Sequence, residues 1–452
     1  MSENENGAES NGAPKGPDFP ELHAYVGEPP AASGHDHANG HDHGHDHDHA
    51  DGEPHVHGHD WGEGYWEQPP RLGKSLEGHG AVDDFNQGRK PGPIHVNRRR
   101  EGGFSGIQTF AKLPVCLTPE DLVAGEIDVA VCGVPWDSTA TGRTGTNHGP
   151  LAIRACDYKG GYGRPHFSLD TRVDAFEVLK CCDYGDSPIS LGNTPASFEG
   201  IRKFIGTIVT SNAIPIIIGG DHGITWPCAT AVADHYGWGK VGIVHFDAHA
   251  DTGTTMPGSL GGHGTPMRKL IESGAVPGAN FVQVGLRGYW PEQETLDWMK
   301  ENRMRTHFMA EINRYGFEAV LERAVDEALD QADHLYISLD IDVCDPAFAP
   351  GTGTPEPGGL TSVDVLTAVR RLSAEVGIVG MDVVEVSPPY DDKGEITALL
   401  ANRAIREALT GIAMRRTGIT ERNYLHPEAL GPGGPGQPLI HREPSRDLAT
   451  DV

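Results

Sequence analysis

Six continuous apolar runs recur through the middle of the 452-residue chain: IDVAVCGV (127–134), IPIIIG (214–219), VGIVHF (241–246), FVQVGL (281–286), LYISLDI (335–341) and VGIVGMDVVEV (376–386). Hydrophobicity that is continuous rather than alternating marks strands buried on both faces, as in a parallel sheet. Segments with apolar residues three and four apart lie between the runs. GFEAVLERAVDEALDQA (316–332) reads as an amphipathic helix. TSVDVLTAVRRLSAEV (361–376) reads as another, with Thr361 or Ser362 available to cap its first turn. Strand and helix in steady alternation predict a three-layer α/β/α domain around a mainly parallel, doubly wound sheet.

Composition sets the limits of that domain. Residues 1–105 are rich in Gly, Pro, Asp and His and poor in Ile, Leu and Val. Such a stretch buries too little apolar surface to offset its ordering entropy and is expected to be a disordered extension. Its cluster Trp61, Tyr65 and Trp66, followed by Pro69-Pro70, suits a docking arm. Residues 106–422 have globular composition, and 423–452 read as a Gly/Pro-rich tail. The formal net charge of −28 argues against nucleic acid and anionic membrane as partners, because both attract basic surfaces, and suits a cationic small molecule or metal ions. Seven cysteines with no C-x-x-C pair and no visible secretory signal point to a reducing, cytoplasmic setting.

Ligands of doubly wound sheets sit at the carboxyl ends of the strands. His222 follows IPIIIG; Asp247, His249 and Asp251 follow VGIVHF; Asp340 and Asp342 end LYISLDI; Glu385 closes the last run. In extended backbone, residues two apart share a face, so D-x-H-x-D and D-x-D are each expected to converge. Carboxylates buried together require countercharge. His nitrogen with carboxylate oxygen suits Mn²⁺, Fe²⁺, Co²⁺, Ni²⁺ or Zn²⁺ rather than Ca²⁺. The competing reading of any one of these aspartates is a helix cap or turn residue.

The segments GGDHGITWP (219–227), HFDAHADT (245–252), SLDIDVCDPAFAPGTGTPEPGG (338–359) and GMDVVEVSPPYD (380–391) together resemble the ureohydrolase family of arginases, agmatinases, guanidinobutyrases and formiminoglutamases, most closely its agmatinase-like branch. That resemblance implies an arginase-like fold and two divalent ions per subunit. His222, Asp247, Asp251 and Asp340 would hold one, and His249, Asp247, Asp340 and Asp342 the other. It further implies a bridging hydroxide as nucleophile, with Asp251 accepting its hydrogen bond. His263 would shuttle protons or orient the leaving amine, and Glu385 would pair with a guanidinium. The implied reaction is hydrolysis of a guanidine C–N bond in a small cationic guanidino substrate, by a trimer or hexamer.

The chain departs from the family pattern in three places. Gly223 stands where Ser is common, and Ser387 replaces Asn in EVNPP. The loop TGRTGTNHGPLAIR (141–154) lacks the Arg and aromatic expected near Asn147-His148. His148 reads either as a pocket residue or as a turn residue. The tract 34–59 holds ten His in H-x-H repeats with Asp and Gly, which suits binding of Ni²⁺ or Zn²⁺. It favours Ni²⁺ over the family's usual Mn²⁺, and is compatible with the nickel-dependent branch acting on free guanidine or dimethylated biguanides such as metformin. Agmatinase or guanidinobutyrase proper is the alternative. A metal-handling protein, or a partner-requiring subunit working with a homologous second chain, are readings of a different class.

Overall fold

The structure, a computed structural model, describes residues 89–96, 103, 105–158, 166–254 and 261–429. The histidine tract, the aromatic arm and the end of the tail lie outside the described residues. Eight strands form one sheet: β1 (Val129–Val134), β2 (Cys181–Asp186), β3 (Ile214–Gly219), β4 (Val241–Phe246), β5 (Phe281–Val284), β6 (Arg305–His307), β7 (His334–Asp340) and β8 (Gly380–Val384). Their order is β2-β1-β3-β8-β7-β4-β5-β6, and every pairing is parallel.

The continuous apolar runs follow from burial on both faces. Along β1, Val129 and Val131 enter one hydrophobic core while Ala130 and Cys132 enter the other. Helices Phe317–Ala328, Ser362–Arg371 and Ile396–Arg416 cover the first face. Helices Thr194–Thr210, Thr225–Tyr236 and Pro266–Ser273 cover the second. The fold is therefore the expected three-layer sandwich. Among the described residues, no helix is long and apolar enough to cross a membrane.

Several boundaries differ from the sequence expectation. Thr361, not Ser362, is the cap: it accepts from the Asp364 backbone N–H, and the Asp364 side chain accepts in return. The helix it starts ends at Arg371, and a π-helical segment runs from Leu372 to Val376. Gly377, at φ +89°, then turns the chain, so β8 begins only at Gly380. The apolar run starts earlier because Ile378 is buried in the connection. Strand β2 (CCDYGD) was missed because it carries acids. Asp183 is nevertheless buried, bound by Arg154 Nε at 2.8 Å and by the Phe110 backbone N–H at 2.7 Å. The three-residue edge strand β6 was too short to recognise. Ordered contacts also begin upstream of residue 106. Ile94 bridges Val115 antiparallel, and both Asp121 oxygens accept from Arg89 at 2.8 and 2.7 Å.

Register places the functional edge. Ile218, Val383, Leu339 and Phe246 form one row across the central strands β3, β8, β7 and β4. β3, β8 and β7 each end one residue later and β4 ends at Phe246 itself, and every candidate residue named above except His148 and His263 lies at that edge or on the loop just beyond it.

Arg154→Ala would leave Asp183 buried without its counterion. It is expected to cost about 3–5 kcal/mol, read as a fall in the urea midpoint followed by circular dichroism. A loss under about 1 kcal/mol would show that other donors suffice.

Candidate metal centre and adjoining carboxylate pocket

His222 begins a short 3₁₀ turn after β3, with Asp221 as its cap. Its Nδ1 is buried, makes no hydrogen bond, and has Asp251 Oδ2 at 2.9 Å with Asp247 Oδ2 and Asp340 Oδ2 each at 3.1 Å. Its other nitrogen, Nε2, lies 2.9 Å from Ser338 Oγ, which donates to Asp382 Oδ1 at 2.8 Å. Ser338 spends its proton on Asp382, so it accepts from His222 Nε2–H. Nδ1 is then the nitrogen left with a lone pair. Tyr336 and Thr225 hydroxyls hold Asp382 Oδ2 at 2.7 and 3.0 Å, which fixes this chain of contacts from below.

On the far side, His249 Nδ1 lies 3.0 Å from Asp342 Oδ2 and 3.6 Å from Asp247 Oδ1. Asp247 thus stands between the two histidines. His222, Asp247 and Asp251 fall within one metal-sized group, and Asp247, His249 and Asp342 within another. Two donors at right angles around an ion bound at about 2.1 Å are about 3 Å apart. The donor spacings around His222 Nδ1 match that edge, and its unbonded lone pair supplies the nitrogen. The residues present therefore fit a pair of divalent cations.

Convergence was expected, but the extended backbone invoked for it is not what achieves it. β4 ends at Phe246, and Asp247, His249 and Asp251 lie on the loop beyond, with Asp251 at φ +50°. Asp342 sits in the 3₁₀ turn Ile341–Val343, which Asp340 caps. Capping leaves room for the ligand reading, because it uses one oxygen of each carboxylate. Asp340 Oδ1 accepts from the Asp342 backbone N–H at 2.8 Å while Oδ2 faces His222. Asp247 Oδ1 accepts from the His249 N–H at 2.6 Å while Oδ2 faces His222 Nδ1 at 3.1 Å.

One residue of the cluster escaped sequence reasoning. His245, buried within β4, lies 2.8 Å from Asp247 Oδ2 through Nε2. The Gln283 amide N–H points at its Nδ1 from 3.2 Å, so Nδ1 accepts and Nε2–H donates to Asp247. His245 orients Asp247 rather than offering a lone pair of its own. Its signal was available: a histidine inside an apolar run, two residues before an aspartate.

Considered as protein groups alone, the cluster redistributes protons. Burial opposes charge on both histidines, yet Asp251, Asp247 and Asp340 outweigh it and raise His222 well above its ordinary value. Asp342 and Asp247 likewise push His249 up to about 12. Burial, then the charges of Asp342 and Asp247, raise Asp340. Burial opposes ionisation of Asp247 too, but His245, His222 and His249 hold its carboxyl well below the usual range.

His263 and Glu385 adjoin this cluster. Glu385, 1% exposed and at φ +63°, receives the His222 backbone N–H on Oε1 at 2.8 Å. His263 Nδ1 lies 3.0 Å from the same oxygen. Glu385 Oε2 is buried with no hydrogen-bond partner. A Cβ on Gly353 would come within 3.6 Å of that oxygen and 3.2 Å of the Arg143 carbonyl, so the glycine leaves space beside it. The loop that departs from the family pattern forms this wall: Ser387 Oγ donates to the Thr144 carbonyl at 3.3 Å, and Arg143 lies over the Tyr390 ring at 5.3 Å. His148 is exposed on its turn.

Two outcomes test the cluster. Without a cation the surrounding carboxylates favour the protonated form of both histidines, and a cation requires the form with the lone pair on Nδ1, so apparent Mn²⁺ affinity is expected to rise from about pH 6 to about pH 9, with net proton release. Isothermal titration in buffers of different ionisation heat measures this, and proton uptake on binding would contradict the assignment. His245→Ala is expected to weaken metal binding by about 10–100-fold with the fold intact. An unchanged binding isotherm would remove its role.

A family model described as "Arginase family" matches residues 127–411. The chain is 37% identical over 319 residues to the guanidinopropionase of Pseudomonas aeruginosa, covering 68% of this chain and 95% of that one. It is 38% identical over 302 residues to the agmatinase of Chromobacterium violaceum, covering 67% and 87%. The crystal structure of proclavaminate amidino hydrolase from Streptomyces clavuligerus superposes with a TM-score of 0.62 at 34% identity, covering 70% of this chain and all of that one.

Proposed function

Because the chain belongs to the arginase family, whose members hydrolyse guanidino C–N bonds, we propose that it hydrolyses a small cationic guanidino compound at the His222–Asp342 cluster, releasing urea and an amine. One observation carries this reading: the buried, partnerless Oε2 of Glu385 lies beside a cluster built to hold two cations. A carboxylate oxygen buried without a donor is costly, and a guanidinium N–H is the donor that suits it. The same cation presents its carbon to the acidic cluster.

His222, Asp247, Asp251 and Asp340 would hold one ion, and His249, Asp247, Asp340 and Asp342 the other. Bound there, the ions supply Lewis acidity and an activated water near neutral pH. The side chains do the rest. Glu385 fixes the guanidinium through Oε2 and orients His263 through Oε1. Asp251 accepts the proton of the attacking water. That oxygen adds to the guanidinium carbon to give a tetrahedral adduct; His263 gives a proton to the amine nitrogen as its C–N bond breaks, and the adduct's remaining hydroxyl proton returns to His263 as urea forms.

The finer assignments rest on composition and on relatives. The name of the Pseudomonas aeruginosa guanidinobutyrase, like those of the guanidinopropionase and agmatinase, specifies a single guanidino group on a short chain. The Asn147–His148 loop departs from the agmatinase-like pattern and so weighs against agmatine, and the ten-histidine tract favours Ni²⁺ over Mn²⁺; both are compatible with free guanidine or a dimethylated biguanide, with agmatinase or guanidinobutyrase proper as the alternative. A biguanide would release guanylurea in place of urea. We further propose a cytoplasmic trimer or hexamer, with a homologous second subunit as the alternative composition.

The test is purified protein loaded separately with Mn²⁺ and Ni²⁺ and given guanidine, dimethylbiguanide, agmatine, 4-guanidinobutyrate and arginine. Urea or guanylurea from one pairing sets substrate and metal together. Silence across the panel with both metals bound would overturn a self-sufficient hydrolase. In the active pairing, Asp247→Ala is expected to lose both ions and all turnover. His263→Ala should keep both ions and lose about 10²–10⁴-fold in kcat. Loss of metal from His263→Ala would refute its assignment as proton carrier.

A further inference from the structure

The loop after β1 reaches across the site and is pinned from below by an acid that neither holds a cation nor meets substrate. Asp221 is fully buried. It accepts from the Thr139 backbone N–H at 2.9 Å, from the Thr139 hydroxyl at 2.6 and 2.7 Å, and from the Gly223 N–H at 3.0 Å. Trp136 Nε1 donates to the same hydroxyl at 3.0 Å. The backbones are joined as well, since the Asp221 N–H donates to the Trp136 carbonyl at 2.7 Å.

Above this clasp, the loop meets His263 twice. The His263 backbone N–H donates to the Thr139 carbonyl at 2.9 Å. The Thr141 backbone N–H points at His263 Nε2 from 3.2 Å, with the Thr141 hydroxyl at 2.8 Å. A backbone N–H can only donate, so Nε2 must accept. The ring proton then sits on Nδ1, facing Glu385 Oε1 at 3.0 Å. Position 223 is what makes room. A Cβ there would stand 2.6 Å from Thr139 Oγ1 and 2.9 Å from Asp221 Oδ1. The absent side chain at 223 and the hydroxyl at 139 are therefore one feature.

We propose that the Asp221–Thr139 clasp, which a side chain at position 223 would displace, is a positioning device for His263: it holds the Thr139–Thr141 turn so that Thr141 fixes Nε2 as the acceptor and Nδ1 as the proton-bearing nitrogen. The proposal rests on the reading of His263 as proton carrier. It makes Thr139, Asp221 and Gly223 positioning residues for the reaction. It also accounts for the departure at Gly223, because a hydroxymethyl group at 223 would fall in the volume that the Thr139 hydroxyl fills.

The test is a cycle of four variants of the full-length, metal-loaded protein, each with metal content, kcat, KM and a crystal structure. Thr139→Val keeps the shape and loses the hydroxyl. It is expected to retain both ions, to keep KM within about 3-fold, and to lose at least about 10-fold in kcat, because small misplacement of a proton carrier is costly. Thr139→Ser is expected to stay within about 3-fold of the parent. Gly223→Ser alone should behave like Thr139→Val, and Thr139→Ala/Gly223→Ser should recover most of the loss by returning a hydroxyl to the same place. The crystal structures give an answer independent of turnover. In Thr139→Val, the Thr141 N to His263 Nε2 separation should open beyond hydrogen-bond reach. An unchanged separation, an unchanged kcat, or a double variant no better than the worse single one would each overturn the proposal. If His263→Ala turns over normally, the proton-carrier reading fails by itself, while the measured separation still decides whether the clasp holds the ring.

Discussion

Like charge is what Asp247, Asp251, Asp340 and Asp342 share, and they are buried together at one edge of a sheet. Left unpaired, each would cost several kcal/mol in desolvation, with mutual repulsion added. The surroundings are arranged against that cost. Backbone N–H groups of the short turns take one oxygen of Asp247 and one of Asp340. His222, His245 and His249 face most of the remaining oxygens. Arg287 acts one layer out, where its guanidinium donates to the carbonyls of Asp342, Val343 and Cys344 and so ties down the turn carrying Asp342. A pair of divalent cations would complete the balance in a way protons on the histidines only approximate.

That constraint explains what was legible in the sequence. A sheet buried on both faces writes itself as continuous apolar runs, so five of the eight strands stood out nearly to the residue. The chemistry then had to lie at the run ends, where carboxylates and histidines appear against an apolar background. His222, Asp247, His249, Asp251, Asp340, Asp342 and Glu385 were all visible for this reason. Strand β2 was not, because a buried acid paired with Arg154 reads as a loop residue until its partner, distant in sequence, is seen. The π-helical exit before β8 was equally hidden, since its apolar residues serve a connection rather than a strand.

The supporting residues were harder to read than the ligands. His245, Ser338 and Asp382 sit inside strands and pass for core or turn residues. Their roles exist in contacts between neighbouring elements, and only His245 leaves a trace along its own strand, two residues before Asp247. Thr139, Asp221 and Gly223 pose the same problem between two loops. A departure at one position looks like a loss until the residue filling the vacated volume is identified in space. Sequence patterns therefore locate the carboxylates and histidines that converge at the sheet edge, while the groups that aim them emerge from packing.

Aiming also carries a backbone cost. Asp251 and Glu385 both adopt left-handed backbone, at φ +50° and +63°. Such a conformation costs on the order of 1–3 kcal/mol for a residue with a side chain. Glycine would relieve it at either position, but glycine has no carboxylate. In each case the side chain reaches across to the end of another strand, where His222 leaves β3: Asp251, beyond β4, onto His222 Nδ1, and Glu385, beyond β8, onto the His222 backbone N–H and His263. The strain is held by the contacts it creates, which include the shared anchor at His222. The proposed cation site and the proposed guanidinium site thus share one histidine, whose side chain faces Asp251 while its backbone N–H donates to Glu385.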